Sequence, residues 1–281
     1  MILQERVDHL LVIRQNDHAL LSGFLAREWG TRAFKRPELF ESFCLAAREH
    51  DNGWAEWEQA PPLDPKTHLP YTFMSIPTEE HVALYERGIE RIIKADPYAG
   101  LLVSMHCAGL YDRARATLPG FSAKYVKSAD SRLVNEFLDR LKLLQMRLKS
   151  DLRSNPATAS LAEETSLDRT SRLLEILDRI SLYFCLQPGE DTTLEAVPAD
   201  DRGGEVDCEL RQASGNVASL APYPFRRDPL QISILARQVP RRLYGSEADF
   251  QKALAGARYF PINFTLSAGN VALSQTQSAV A

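Results

Sequence analysis

The sequence predicts a mainly α-helical protein with a small antiparallel β appendage, formed by an N-terminal strand and the C-terminal third. Three features carry this expectation. Apolar residues recur at helical spacing from Asp17 to about Leu186, with breaks only at Pro- and Gly-rich connections. Beyond Gln187-Pro188-Gly189 the spacing shortens, and Val206–Leu210, Val217–Leu220, Leu230–Ala236 and Phe260–Leu266 read as short strands between Pro and Gly. Near the start, Leu11-Val12-Ile13 is a β-prone run that needs a partner strand elsewhere. The expected organisation is therefore an N-terminal strand at 1–14, a helical domain at 15–187, a β-rich appendage at 188–268 and a loose tail at 269–281.

With 281 residues, the chain can bury a substantial core. Its apolar content of 44% and charged content of 25% are those of an ordinary globular protein. A formal net charge of -4 gives no electrostatic case for nucleic acid or an acidic membrane as partner. No apolar run is long enough to span a bilayer and Met1 to Asp17 lacks the order of a signal peptide, so the cytoplasm is the expected location. Cys44, Cys107, Cys185 and Cys208 are scattered without a CxxC pair and read as thiols, most of them buried.

The first helix, from Asp17 to about Trp29, places His18 in its first turn on the stripe of Leu21 and Leu25. The second begins near Pro37, with Leu39, Phe43, Ala46 and His50 on one face. His50 ends that inward stripe. Asp51 follows directly, and Gly53 suits a left-handed residue closing the helix, which would leave the Asp51 carboxylate free to turn inward. An imidazole and a carboxylate side by side at a buried helix end are a candidate metal site. Trp54 and Trp57 either line an aromatic wall beside it or simply pack.

Pro61, Pro62, Pro65, Pro70 and Pro77 make 59–77 an extended loop that could cover the site. A helix opened by Thr78 then sets His81, Tyr85, Gly88 and Ile92 on one stripe. In the helix from Tyr98 to Leu110, His106 is surrounded by Ser104, Cys107, Ala108 and Gly109, leaving space beside the imidazole. Lys124 and Lys127 either meet an anionic substrate or lie in a solvated loop. Leu133 to Leu148 is the stripe of a scaffold helix. In the last long helix Asp178 shares a side with Leu174, Leu177 and Ser181; an acid there needs a cationic partner, metal or arginine, to offset its desolvation.

His18, His50-Asp51, His81, His106 and Asp178 thus follow one another in the order His, His-Asp, His, His, Asp, and His50-Asp51-Asn52-Gly53 is similar to a His-Asp-x-Gly motif. This pattern over about residues 15–187 resembles the HD-domain metal-dependent phosphohydrolase superfamily, in its two-metal branch, and the Gly-Trp-x-x-Trp sequence resembles an uncharacterised bacterial group. The resemblance implies an HD-like helical core in which His18, His50, Asp51 and Asp178 hold one ion while Asp51, His81 and His106 hold a second. It places Asp51 and His106 at the chemistry and Trp54 where many members carry a substrate-contacting Lys. Four imidazoles and two carboxylates suit one or two ions of iron, manganese, nickel, cobalt or zinc. The expected function is a metal-dependent hydrolase acting on a small, anionic phosphate ester or nucleotide through an activated water. Two other readings stay open: a diiron oxygenase of the inositol-oxygenase type, and a non-catalytic, metal-stabilised binding or sensing domain.

Overall fold

The structure, a computed structural model, describes residues 1–111, 131–186, 190–200 and 204–269. Lys124 and Lys127 lie outside the described residues, as does most of the expected tail. Among the described residues, six helices build one half: α1 (Gln15–Glu28), α2 (Phe40–Glu49), α3 (Thr78–Ala95), α4 (Pro97–Tyr111), α5 (Ser131–Ser154) and α6 (Glu164–Cys185). Helix α4 is buried nearly all round, from Tyr98 to Tyr111, and packs against α2, α3, α5 and α6. Its uniformly apolar sequence is what a helix at the centre of such a bundle requires.

The β structure is much larger than expected. Seven strands, β1 (Ile2–Glu5), β2 (His9–Ile13), β3 (Thr192–Pro198), β4 (Glu205–Ser214), β5 (Val217–Ala221), β6 (Leu230–Pro240) and β7 (Tyr259–Ala268), form one sheet in the order β1-β2-β6-β7-β5-β4-β3. All neighbours are antiparallel except β5 and β7, which run parallel. Helix accounts for 50% and strand for 23% of the described residues, and the sheet curls into half a barrel. A mixed half-barrel therefore replaces the small antiparallel appendage.

The reason lies in what the sheet buries. Leu194, Leu210, Leu220, Ile232, Ile234, Phe264 and Leu266 belong to the same hydrophobic cluster as Leu174, Leu177 and Phe184 of α6. Phe184 and Phe264 pack with ring centroids 5.1 Å apart, and Gln4 Nε2 in β1 donates to the Cys185 carbonyl at 2.7 Å. Helices and sheet thus share one core. The other face, around Leu10, Val12 and Val239, is covered by α7 (Glu247–Gly256) through Phe250 and Leu254. Burial on both faces explains why β2 reads as a continuous apolar run, whereas β6, buried only at Leu230, Ile232, Ile234, Ala236 and Val239, alternates.

Helix α2 ends at Glu49, with His50 still in the right-handed helical region. A 3-10 turn, Asn52–Trp54, follows and docks on α3. Gly53 is needed there for a different reason from the expected left-handed conformation, since it is not among the residues of positive φ. A Cβ at Gly53 would lie 2.0 Å from the Leu84 carbonyl oxygen and 2.8 Å from its carbon. Only a glycine lets the turn approach the α3 backbone so closely. Asn52 completes the joint: its Nδ2 donates to the carbonyls of Glu49 at 2.8 Å and Gly88 at 3.3 Å.

The loop 59–77 packs against neighbouring segments. Leu63 and Pro70 pair in an isolated bridge, the Phe73 N–H donates to the Met1 carbonyl, and the Tyr244 N–H donates to that of His68. Gly53→Ala should lower the unfolding free energy by about 3 kcal/mol or more, because the obstruction is backbone and cannot rotate away. Gly256→Ala, with nothing within 4 Å of the added Cβ, should stay within about 0.5 kcal/mol of the parent. Urea unfolding of both variants checks this contrast; equal midpoints would refute the role given to the Gly53 contact.

Candidate metal centre

Four of the six expected ligands meet at one buried point. Helix α1 supplies His18 from its first turn, the end of α2 supplies His50 and Asp51, and α6 supplies Asp178. His18 Nε2 lies 3.2 Å from His50 Nε2 and 2.9 Å from Asp178 Oδ1. His50 Nε2 is 3.4 Å from Asp178 Oδ1, and Asp51 Oδ2 is 3.7 Å from both Nε2 atoms. All four residues are at most 6% exposed. Ligand atoms roughly 2.1 Å from a common ion and 90–109° apart would be separated by roughly 3.0–3.4 Å. The two imidazoles and Asp178 have nearly that spacing.

The outward atoms of both imidazoles set their tautomers. Ser181 donates to the Asp178 carbonyl at 3.0 Å and accepts from Ser22 at 2.9 Å, so its remaining contact, 2.5 Å to His18 Nδ1, is one in which the ring N–H donates. His50 Nδ1 likewise donates to the Ala47 carbonyl at 2.9 Å. In the neutral rings both Nε2 lone pairs consequently point into the centre. Two lone pairs 3.2 Å apart repel unless a proton or a metal ion lies between them, and carboxylates beside them favour either cation.

The titration behaviour agrees with this electrostatic account. Burial is the largest influence on His50 and lowers its pKa, but Asp51 and Asp178 outweigh it and raise the group to about 9. Burial likewise opposes ionisation of Asp178, yet hydrogen bonds from His18 and His50 hold it well below the usual carboxylate range. Asp51 is fixed from two sides: Tyr85 OH donates to Oδ1 at 2.8 Å and Gln15 Nε2 to Oδ2 at 3.0 Å. Gln15 is itself anchored through its backbone N–H, which donates to the buried Glu58 at 2.8 Å.

The remaining two histidines part company. His106, in the middle of α4, places Nε2 3.9 Å from Asp178 Oδ2, with its ring centroid 5.1 Å from that of His50. Burial pushes His106 down to about 4 against the pull of Asp178, so it is neutral at pH 7. Its Nδ1 is buried without a hydrogen-bond partner among the described residues. His81 instead directs Nδ1 at the hydroxyl of Tyr111 and sits among the rings of Trp54, Tyr85 and Tyr111. Among the described residues, the groups able to hold a metal are His18, His50, Asp51 and His50, His106, Asp178; His81 is in neither. Trp54 is 1% exposed and stacks edge-on against Trp57, which leaves it little surface for a substrate.

The supporting groups Gln15, Tyr85 and Ser181 were only partly legible in the sequence. Tyr85 and Ser181 lie on the expected buried stripes, but no spacing distinguishes a polar group that orients a ligand from one that packs. Gln15 precedes the expected start of α1.

A family model described as "Protein of unknown function (DUF3891)" matches residues 1–241. The chain belongs to this family. The DUF3891 match takes in the helical half, the whole ligand cluster and six of the seven strands, stopping just past β6. No curated protein and no solved structure matches the chain. No described helix is long and apolar enough to cross a membrane.

Buried His and Asp groups at this spacing can hold a metal ion. His50→Ala and Asp178→Ala should each abolish stoichiometric binding, whereas Ser181→Ala, which removes the acceptor behind His18 but no ligand, should weaken it about 10–100-fold. Titration with cobalt or zinc checks the difference, and full binding by Asp178→Ala would remove Asp178 from the ligand set. Because metal displaces the proton that His50 otherwise keeps to about pH 9, apparent affinity should rise about tenfold per pH unit from neutrality and level off above that pKa. A pH-independent affinity would contradict the shared-proton account.

Proposed function

We propose that the protein is a metal-dependent hydrolase of the HD type, acting on a small anionic phosphate ester or nucleotide. The observation that carries this reading is that Asp51 Oδ2 and Asp178 Oδ1 both lie against the paired Nε2 atoms of His18 and His50, with the far side of both rings tied to the protein. These are the residues whose order in the chain resembles the HD pattern. Two imidazoles and two carboxylates form a donor set suited to manganese, iron, cobalt, nickel or zinc rather than to calcium or magnesium. A divalent ion held there would supply Lewis-acid polarisation of a phosphoryl oxygen and a water acidic enough to attack near pH 7.

The chain's own groups have distinct tasks in this scheme. Asp51 and Asp178 provide the negative charge that retains a cation, and Tyr85 and Gln15 keep Asp51 in one orientation. Neutral His106 offers a lone pair beside Asp178 and is the proton acceptor we assign. Among the described residues His81 stands outside both groups able to hold a metal, which favours one ion over two. It thereby favours hydrolysis, for which one ion suffices, over diiron oxygenase chemistry.

Elemental mass spectrometry of protein purified without added metal should find about one equivalent of a transition ion, and that protein should release phosphate from some member of a panel of nucleotides and phosphate monoesters. His106→Ala should retain the ion but lose at least about 100-fold in rate. Two equivalents of iron with oxygen uptake would replace this reading by the oxygenase. A full complement of metal without any phosphate release would leave a binding or sensing domain.

A further inference from the structure

A second polar site lies away from the ligand cluster. A cavity of about 560 Å³ opens where the first turns of α6 face the connection between α1 and α2 and the end of β3. That volume is within the range of small-molecule sites. Its walls carry three cations, Lys35, Arg36 and Arg169, with the hydroxyls of Ser160, Thr165 and Ser166 between them. Elsewhere on the surface Arg14, Arg27, Arg227 and Arg242 are clamped by carboxylates. None of the three cations here is within ion-pair distance of a carboxylate among the described residues.

The guanidinium groups are nevertheless held in place. Arg36 donates Nε to the Trp29 carbonyl at 2.8 Å and stacks over the Phe40 ring at 4.3 Å. Arg169 Nη1 reaches the Gly204 carbonyl at 3.4 Å, while its Nη2 is buried with no hydrogen-bond partner among the described residues. An anion oxygen in the cavity is a charge-assisted acceptor for the cationic side chains that line it. Helix α6 adds to the same field. Its N-cap, Glu163, makes no side-chain cap, so the first turn of a 22-residue helix presents uncapped N–H groups beside the cavity.

Two carboxylates, Glu38 and Glu163, also line the walls. They would repel a small dense anion filling the whole space, but they suit a ligand whose anionic end meets the cations and whose body donates hydroxyl hydrogens. We propose that this cavity binds a phosphate monoester with a hydroxylated body, of sugar-phosphate or nucleoside-monophosphate size. The phosphate lies against Lys35, Arg36, Arg169 and the first turn of α6, and the body extends toward Glu38 and Glu163. The site shares no residue with the metal ligands. Asp178 follows Arg169 by nine residues, about 13 Å of helix rise, so this binding stands whether or not the chain proves to be a hydrolase.

Calorimetric titration of the full chain with ribose 5-phosphate, adenosine 5′-monophosphate, inorganic phosphate and ribose tests the assignment. At least one of the two monoesters should bind saturably and more tightly than inorganic phosphate, and ribose should give no heat. Lys35→Glu and Arg36→Gln should each weaken monoester binding about tenfold or more. Lys35 is exposed, so its variant should keep the parent unfolding midpoint and report on binding alone. In metal-free protein, Asp178→Ala should leave monoester affinity unchanged. No saturable binding of either monoester would overturn the proposal. So would binding abolished by Asp178→Ala and untouched by Lys35→Glu, which would transfer the ligand to the metal centre.

Discussion

Two imidazole lone pairs and two carboxylates are forced together at a buried point, and much of the helical half is arranged to make that possible. In an apolar interior such a group of acceptors is unstable without a cation. Ser181 and the Ala47 carbonyl take the outward ring protons, and Tyr85 and Gln15 take positions on Asp51. What remains is a point of negative potential with fixed, inward-facing donors of nitrogen and oxygen.

The arrangement depends on three chain segments being held at fixed distances. His18 is set by the first turn of α1, Asp178 by the middle of α6, and His50 with Asp51 by the junction after α2. That junction is positioned by the contact between Gly53 and α3, where Asn52 closes the remaining gap. Helix α6 is positioned in turn by the sheet, through Phe184 on Phe264 and the Gln4 bond to Cys185. The sheet thus helps fix the helix that carries Asp178.

Much of the helical half was legible in the sequence because its apolar stripes are long and its breaks are marked by Pro and Gly. The same stripes carried His18, His50 and Asp178 inward, and an acid on a buried face announces a partner. The sheet was harder to see. Strand β1 is four residues long with a buried Gln at its third position, and β3 lies in an acidic stretch where only Leu194 and Val197 reveal an inner face. Helix α7 was missed although Ser246 caps it by accepting from the Asp249 N–H, a spacing visible in the sequence. The divergence of His81 from the other ligands could not be read from spacing, since its stripe faces inward whether Nδ1 meets an ion or Tyr111. The role of Gly53 was also misread, because close backbone approach and left-handed conformation both select the same residue.

The common core of helices and sheet has a consequence for how this architecture can be divided. A protein whose metal-binding half were a free-standing unit could lose, gain or exchange its β portion as a cassette. Here a cut after α6 would strip part of the apolar flank of that helix, leaving Phe184 without Phe264 and the end of α6 without the Gln4 bond to the Cys185 carbonyl. The β half is therefore the other wall of the vessel in which the buried His and Asp cluster sits, and recombination that swaps one wall must also supply a matching surface for α6.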